Sequence, residues 1–355
     1  MAASGATHGT MLVAGATGVV GRGLIEHLQS LDGWAVMGLA RRPPDSAGNV
    51  RYLSVDLLDP ADCRAKLTDL GHVTHIVYCA YADRPSLAEQ VAPNLAMLSH
   101  LVEAVEPAAK ELRRIVLIEG TKYYGAHLGP FKTPAKEDDP RCLPPMFYFD
   151  QEDYLRARQP GRSWTWTALR PQTVCGFSLG SPMNLITTLG VYAAISKELG
   201  LPLRFPGKVG AYDALYQVCE SVHLARAILW AATEPKCANE AFNITNGDFF
   251  RWRNLWPRLA DLFAMPAGDV QTLALTAFMA DKGPLWEKIV ARHRLEAHPF
   301  DRLAAWPFAD YVFGCDWDVM SNTTKARQYG FADVVDSEAM FLDLFQRFRE
   351  ERIIP

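Results

Sequence analysis

Two side chains near the middle of the chain have types suited to one piece of chemistry. Lys122 lies in Glu119-Gly120-Thr121-Lys122-Tyr123-Tyr124-Gly125, directly after an apolar run. Tyr148 lies in Met146-Phe147-Tyr148-Phe149-Asp150-Gln151-Glu152-Asp153. A phenol can donate a hydrogen bond or a proton to a carbonyl oxygen that is gaining negative charge. Free tyrosine, with a pKa near ~10, exchanges its proton poorly at neutral pH, and a nearby ammonium lowers that value. The residue four after Tyr148 is Glu152, so no basic group follows one helical turn on. The fold must therefore bring Lys122 back from a separate segment. Tyr124, almost adjacent to Lys122, is a chemical rival for Tyr148 and is otherwise expected to pack at the strand-end turn.

Other arrangements carry less chemistry. Tyr154 and Arg158 share the four-residue spacing, but a guanidinium does not yield a proton, so they read as a surface pair. The nine histidines show no metal spacing, and His127 and His223 read as structural. No Gly-x-Ser-x-Gly elbow exists, which leaves a hydrolase without support.

The elements that must position the pair alternate. Strands are expected at Thr10–Ala14, Trp34–Ala40, Tyr52–Val55, His75–Cys79, Arg114–Ile118 and Trp166–Leu169, the last halted by Pro171. Helices are expected at Gly21–Ser30, Ala61–Leu70, Asn94–Val105 and Asp150–Arg158. This alternation implies a parallel sheet covered on both faces, with ligands at the carboxyl ends of its strands. Gly15, Arg41, Asp56, Ala80, Lys122 and Pro171 all fall at such ends. Beyond Pro171 the pattern weakens, with helices expected at Asn184–Leu199 and Ser221–Ala232.

Gly15-Ala16-Thr17-Gly18-Val19-Val20-Gly21 joins the first strand to the first helix. Glycines there allow a tight turn and a close backbone approach to a pyrophosphate, and the helix N-terminus offers N–H groups to the anion. The second strand ends in Arg41-Arg42, where an NAD site usually carries a carboxylate for the ribose 2′-hydroxyl; arginine suits a 2′-phosphate and hence NADP(H). The oxidised nicotinamide's positive charge would further acidify a nearby tyrosine. Asp56 is placed either to contact the adenine or to cap the next helix.

Composition excludes several classes. Charged residues make up 21% and the net charge is −4, so there is no basic footprint for nucleic acid or a membrane surface. No apolar run is long enough to span a bilayer, and Met1–Thr10 lacks the layout of a signal peptide. Seven scattered cysteines without a Cys-x-x-Cys pair fit a reducing cytosol, so a cytoplasmic location is expected.

Several segments together resemble the progesterone 5β-reductase/iridoid synthase-like enzymes, an atypical branch of the extended short-chain dehydrogenases. They are Gly15–Gly21, Leu39–Pro43, Val73–Arg84, Gly120–Gly125, Gly129–Phe131, Phe147–Asp153, Leu169–Pro171, Met183–Arg204 and Ala241–Asp248. Most short-chain dehydrogenases carry Tyr-x-x-x-Lys on one helix; this branch takes the two residues from separate segments. The resemblance maps its active-site pair onto Lys122 and Tyr148. It implies NADPH-dependent reduction of α,β-unsaturated carbonyls, with hydride to the β-carbon, Tyr148 on the enolate oxygen and Lys122 tuning Tyr148. Expected cofactor contacts are Gly15, Thr17, Gly18, Val19, Val20, Gly21, Arg41, Arg42, Asp56, Leu57, Ala80, Tyr81, Pro171, Thr173 and Val174, together with the pair itself. Tyr81, Phe131, Met146, Phe149, Thr173 and Met183 are the expected substrate-pocket residues. Met146 and Phe149 depart from the family's usual Asn and Tyr, and the spacing after Gly125 is that of microbial members, so a plant substrate is not implied.

The expected fold is α/β, a Rossmann-type doubly wound parallel sheet with a smaller, mainly helical C-terminal lobe. Residues 1–175, with a return segment at 210–246, would form the NADP-binding domain; 176–209 and 247–355 would form the substrate lobe. Three functions stay open on the residues: reduction of an enone or enal at carbon, 1,2-reduction of a ketone or aldehyde by the same donor, and non-catalytic NADPH sensing. Asn184–Leu199 would serve equally as a homodimer helix or as a buried helix of the lobe.

Overall fold

The computed structural model describes residues 8–44, 50–181 and 183–355. Seven strands, β1 (Gly9–Ala14), β2 (Trp34–Ala40), β3 (Arg51–Ser54), β4 (His75–Tyr78), β5 (Arg114–Ile118), β6 (Thr165–Pro171) and β7 (Glu240–Ile244), form one parallel sheet in the order β7-β6-β5-β4-β1-β2-β3. A strand covered on both faces needs apolar side chains pointing both ways. β1 shows this: Met11 and Val13 face one core and Leu12 and Ala14 the other, all buried. The first core is closed by α1 (Val19–Gln29) and α6 (Ser221–Thr233). The second is closed by α2 (Pro60–Leu67), α3 (Leu87–Val105) and α4 (Phe147–Arg158). Strand order reverses between β1 and β4, which opens a crevice at their carboxyl ends.

Several boundaries differ from the sequence reading, most by one to three residues, and three of the differences have a clear cause or consequence. α3 starts at Leu87 rather than Asn94, because the Ser86 hydroxyl caps it by accepting from the Glu89 N–H and donating to the Glu89 carboxylate, and the helix accommodates Pro93. α4 starts at Phe147 rather than Asp150, which places Tyr148 in its first turn. β6 runs to Pro171 itself; a proline at the strand's last position removes only a terminal donor.

A third core belongs to the lobe. α5 (Leu185–Glu198), α7 (Trp252–Leu262), α8 (Gly283–His293), α9 (Trp306–Gly314) and α10 (Ser337–Glu350) surround Trp252, Trp256, Phe313, Phe341, Phe345 and Phe348. Asn184 caps α5, and every residue from Leu185 to Ser196 is buried. This helix is therefore the axis of the lobe and leaves no face for a second subunit. The chain returns to the sheet with α6 and β7, both inside 210–246. It does so again at Ala326 and Phe331, which join the sheet-side core rather than the lobe. Phe331 is drawn there by Trp230 and His223. All seven cysteines are free. Among the described residues no helix is long and apolar enough to cross a membrane, and no cluster of potential metal ligands occurs.

Candidate active site

The turn after β1 is built on glycine for two different reasons. Gly15 has φ +84°, and a Cβ there would lie 2.7 Å from the Cys79 carbonyl. A Cβ on Gly21 would lie 2.4 Å from the Gly15 carbonyl oxygen. Both glycines are required by the fold. Gly18 is not: its nearest neighbour would be 3.4 Å away, and it caps α1 without a side-chain hydrogen bond. The N-terminus of α1, with no side-chain cap and no acidic residue in its first turn, leaves its first N–H groups for an anion. That arrangement fits a dinucleotide pyrophosphate. Arg41 and Arg42 are exposed at the end of β2, where an adenosine ribose would follow. Asp56 does not cap α2. Its carboxylate accepts from the Leu58 N–H, and Asp59 caps the helix through the Ala61 N–H at 2.8 Å. Leu57 is buried, its carbonyl 2.9 Å from His100 Nδ1.

A cleft of about 830 Å³, counted to its open mouth, continues from this turn along the carboxyl ends of the strands. Val19 and Val20 line one end. Ala80 and Tyr81 follow β4, Lys122 follows β5, Tyr148 comes from α4, and Pro171, Thr173 and Val174 follow β6. Met183, Phe308 and Tyr311 close it from the lobe. The fold thus gathers Lys122 and Tyr148, 26 positions apart in sequence numbering, around one space.

Each is placed by its own local structure. After β5 the chain passes through extended Gly120 into a single 3₁₀ turn, Thr121–Tyr124, closed by Gly125 at φ +88°. Thr121 donates to Gln172 and so ties the turn to the end of β6. Lys122 is largely buried; desolvation lowers its pKa, partly offset by Asp83, and its ammonium lies 5.6 Å from the Tyr311 ring centre. Tyr148 stands against Gly120, where a Cβ would come within 3.3 Å of its hydroxyl. Burial, and then the Glu119 carboxylate, raise the Tyr148 pKa. The phenol therefore stays protonated at neutral pH and acts as a donor. Among the described residues no hydrogen bond joins Lys122 to Tyr148, although both line the same cleft.

Glu152, standing where other short-chain dehydrogenases place lysine, has a structural task. Arg170 on β6 is 1% exposed and bonds Glu119 at 2.8 Å and Glu152 at 3.0 Å. Arg156 reaches the other Glu152 oxygen at 2.6 Å. This buried strut fixes α4 to β5 and β6, and so fixes Tyr148. Tyr124, the rival phenol, is consumed by the same assembly: it donates to Asn243 Oδ1 at 2.7 Å and accepts from Arg170 at 3.0 Å. It does not line the cleft.

Three expected pocket residues lie elsewhere. Met146 and Phe149 are buried with Tyr123 and Tyr124 beneath the turn, and Phe131 packs at the edge of that cluster. Phe149 sits edge-on to Tyr123 at 5.1 Å; one residue along a helix from Tyr148, it faces a different direction. Tyr81 lines the cleft, its hydroxyl donating to Asp83 at 2.8 Å. Thr173 has φ +28°, rare for a β-branched residue, and its hydroxyl is 2.7 Å from that of Tyr216. Strain of this kind concentrates at working sites. The Tyr154 hydroxyl is buried, and Arg158 pairs with Glu106, so they do not form an isolated surface pair. His223 is structural, 3.0 Å from the Thr245 carbonyl, whereas both ring nitrogens of His127 are buried without a partner.

Sequence reasoning missed Glu119, Phe147, Gln172, Phe308 and Tyr311. Glu119 and Gln172 adjoin residues already singled out and share their strand ends. Phe308 and Tyr311 sit three apart on α9, a spacing that reads as ordinary core.

Comparison with known proteins places the whole arrangement. A family model described as a PRISE-like Rossmann-fold domain matches residues 54–355. The chain is 38% identical to an (S)-8-oxocitronellyl enol synthase of Nepeta racemosa, over 97% of this chain and 92% of that one. It is 34% identical to the 3-oxo-Delta(4,5)-steroid 5-beta-reductase of Arabidopsis thaliana, over 97% and 92%. A UDP-glucose 4-epimerase structure from Thermotoga maritima superposes with a TM-score of 0.69 at 15% identity, covering 96% of this chain and 99% of that one, a likeness of fold. The chain belongs to the PRISE-like Rossmann-fold family.

Proposed function

We propose that the protein is an NADPH-dependent reductase of small or medium α,β-unsaturated carbonyl compounds. The observation that carries this reading is a protonated, half-buried phenol, Tyr148, facing a largely apolar cleft that continues from a bare helix N-terminus. The relatives support it: one is named for reducing a 3-oxo-Δ4,5 steroid, which is a conjugated enone. Bound NADPH would supply the hydride. Gly18 and the first turn of α1 would hold its pyrophosphate, and Arg41 and Arg42 the 2′-phosphate. Tyr148 would donate to the carbonyl oxygen as it gains charge. Lys122, with no partner of its own in the cleft among the described residues, would donate to the nicotinamide ribose and add positive charge beside the oxygen. The apolar lining and the lobe would keep water from the reacting carbons. No observation favours 1,2-reduction, which would use the same donor.

The test is incubation with 2-cyclohexen-1-one and either NADPH or NADH, with products resolved by gas chromatography. Cyclohexanone, formed faster with NADPH, is the expected result. Cyclohexenol would replace the reading with carbonyl reduction, and equal rates with both cofactors would remove the role given to Arg41 and Arg42.

A further inference from the structure

Glu119 is a carboxylic acid buried against the wall of the reaction cleft, and nothing in the reduction itself calls for it. Its side chain is wholly shielded from solvent. One oxygen meets Arg170 at 2.8 Å; the other, Oε1, is buried without a donor, and the Glu152 carboxyl lies close beside Glu119. The same guanidinium also serves Glu152, whose second oxygen is held by Arg156, so Glu119 receives the smaller share of positive charge. The next residue, Gly120, leaves the space beside the Tyr148 hydroxyl open, and Glu152, one helical turn after Tyr148, shares Arg170 with Glu119, so the carboxyl is close enough to act on the phenol.

Each element around Glu119 contributes charge. β6 brings Arg170. α4 brings Glu152, Arg156 and Tyr148. The 3₁₀ turn brings Lys122, Tyr123 and Tyr124, and the loop beyond it brings Glu137 and Arg141. Burial raises the Glu119 pKa to about 8, against the lowering effect of Arg170 and with the further raising effect of Glu152. A carboxyl so placed holds its proton more strongly than a surface glutamate does.

We propose that Glu119 is a positioning residue acting through Tyr148: uncharged, it lets the phenol support negative charge on the substrate oxygen, and ionised, it suppresses that support. The inference rests on the reductase reading of the cleft. Its sign follows from Coulomb's law. Hydride addition leaves an enolate, an anion, at the phenol. A second anion behind the phenol raises the energy of that state and not of the neutral substrate, so turnover falls as pH rises through the ionisation of Glu119.

The experiment is a pH profile of kcat with saturating NADPH and 2-cyclohexen-1-one for wild type, Glu119→Gln and Glu152→Gln. Wild type should lose on the order of tenfold across its alkaline limb, equivalent to one pKa unit of coupling. Glu119→Gln should abolish that limb. Glu152→Gln should move it to lower pH, because removal of a like charge leaves Arg170 to Glu119 alone. An unchanged limb in Glu119→Gln overturns the proposal.

Infrared spectroscopy of the wild-type protein supplies a readout independent of variants and turnover. A buried carboxylic-acid band should disappear with the same midpoint as kcat. A fully ionised Glu119 at neutral pH overturns the proposal even where Glu119→Gln fails to fold. Absence of wild-type enone turnover at every pH would instead sink the reductase reading, leaving the infrared titration to decide whether Glu119 holds its proton.

Discussion

The two ends of the cleft are built in different ways. At the nucleotide end, recognition is a property of the backbone: a seven-residue turn, three glycines and the start of one helix. At the reactive end it is a property of side chains drawn from separate places. Lys122 comes from a 3₁₀ turn, Tyr148 from the first turn of α4, and Phe308 and Tyr311 from the far lobe. The first end comes from one continuous segment. The second depends on a buried strut, Glu119–Arg170–Glu152, that links β5, β6 and α4. A backbone site tolerates little change at fixed positions. A side-chain site tolerates much change, provided that the strut holds.

The largest effect expected from breaking this contrast is at the phenol. Tyr148→Phe should lower kcat by roughly 10²–10⁴-fold, the usual weight of a positioned acid, while NADPH affinity shifts only a few-fold. Stopped-flow turnover and fluorescence titration of the cofactor would measure the two; equal losses in both would place Tyr148 in cofactor binding instead.

Next come the glycines. Gly15→Ala should destabilise the protein by at least about 1–3 kcal/mol, because its Cβ meets backbone and its φ is positive. Gly18→Ala should leave unfolding unchanged and weaken NADPH binding. Denaturant melts paired with calorimetric titration separate them, and a Gly18→Ala loss in stability without a loss in affinity would refute the assignment.

A smaller effect is expected at the end of β2. Replacing Arg41 and Arg42 with Ala should reduce the preference for NADPH over NADH by about tenfold or more, through loss of charge-assisted hydrogen bonds worth roughly 1.5–3 kcal/mol each. Unchanged relative kcat/KM for the two cofactors would return both arginines to the solvent.

The same contrast explains what could be read in advance. Strand and helix alternation is local, so β1, β2 and β5 and the turn between β1 and α1 stand out from spacing alone. Trp34–Ala40 and Arg114–Ile118 coincide with the observed strands. Where a cap rather than a pattern decides, the reading stopped short: Ser86 starts α3 ahead of an interior proline. Pocket membership is less local still. Phe149 and Met146 adjoin the phenol in sequence yet face the aromatic cluster beneath it. Tyr311 is remote in sequence yet closes the cleft. Glu152 declared by its type that the usual lysine was missing. Only Arg170, reaching across from β6, shows what Glu152 does in its place.

Hydride is expected to reach the β-carbon while Tyr148 holds the oxygen. NADPH deuterated at the transferring C4 position, incubated with 2-cyclohexen-1-one, tests it directly. Mass spectrometry and deuterium NMR should find the label at C3 of cyclohexanone, with no label at the carbonyl carbon. Label at C1 of cyclohexenol would contradict the account and make the same cleft a carbonyl reductase.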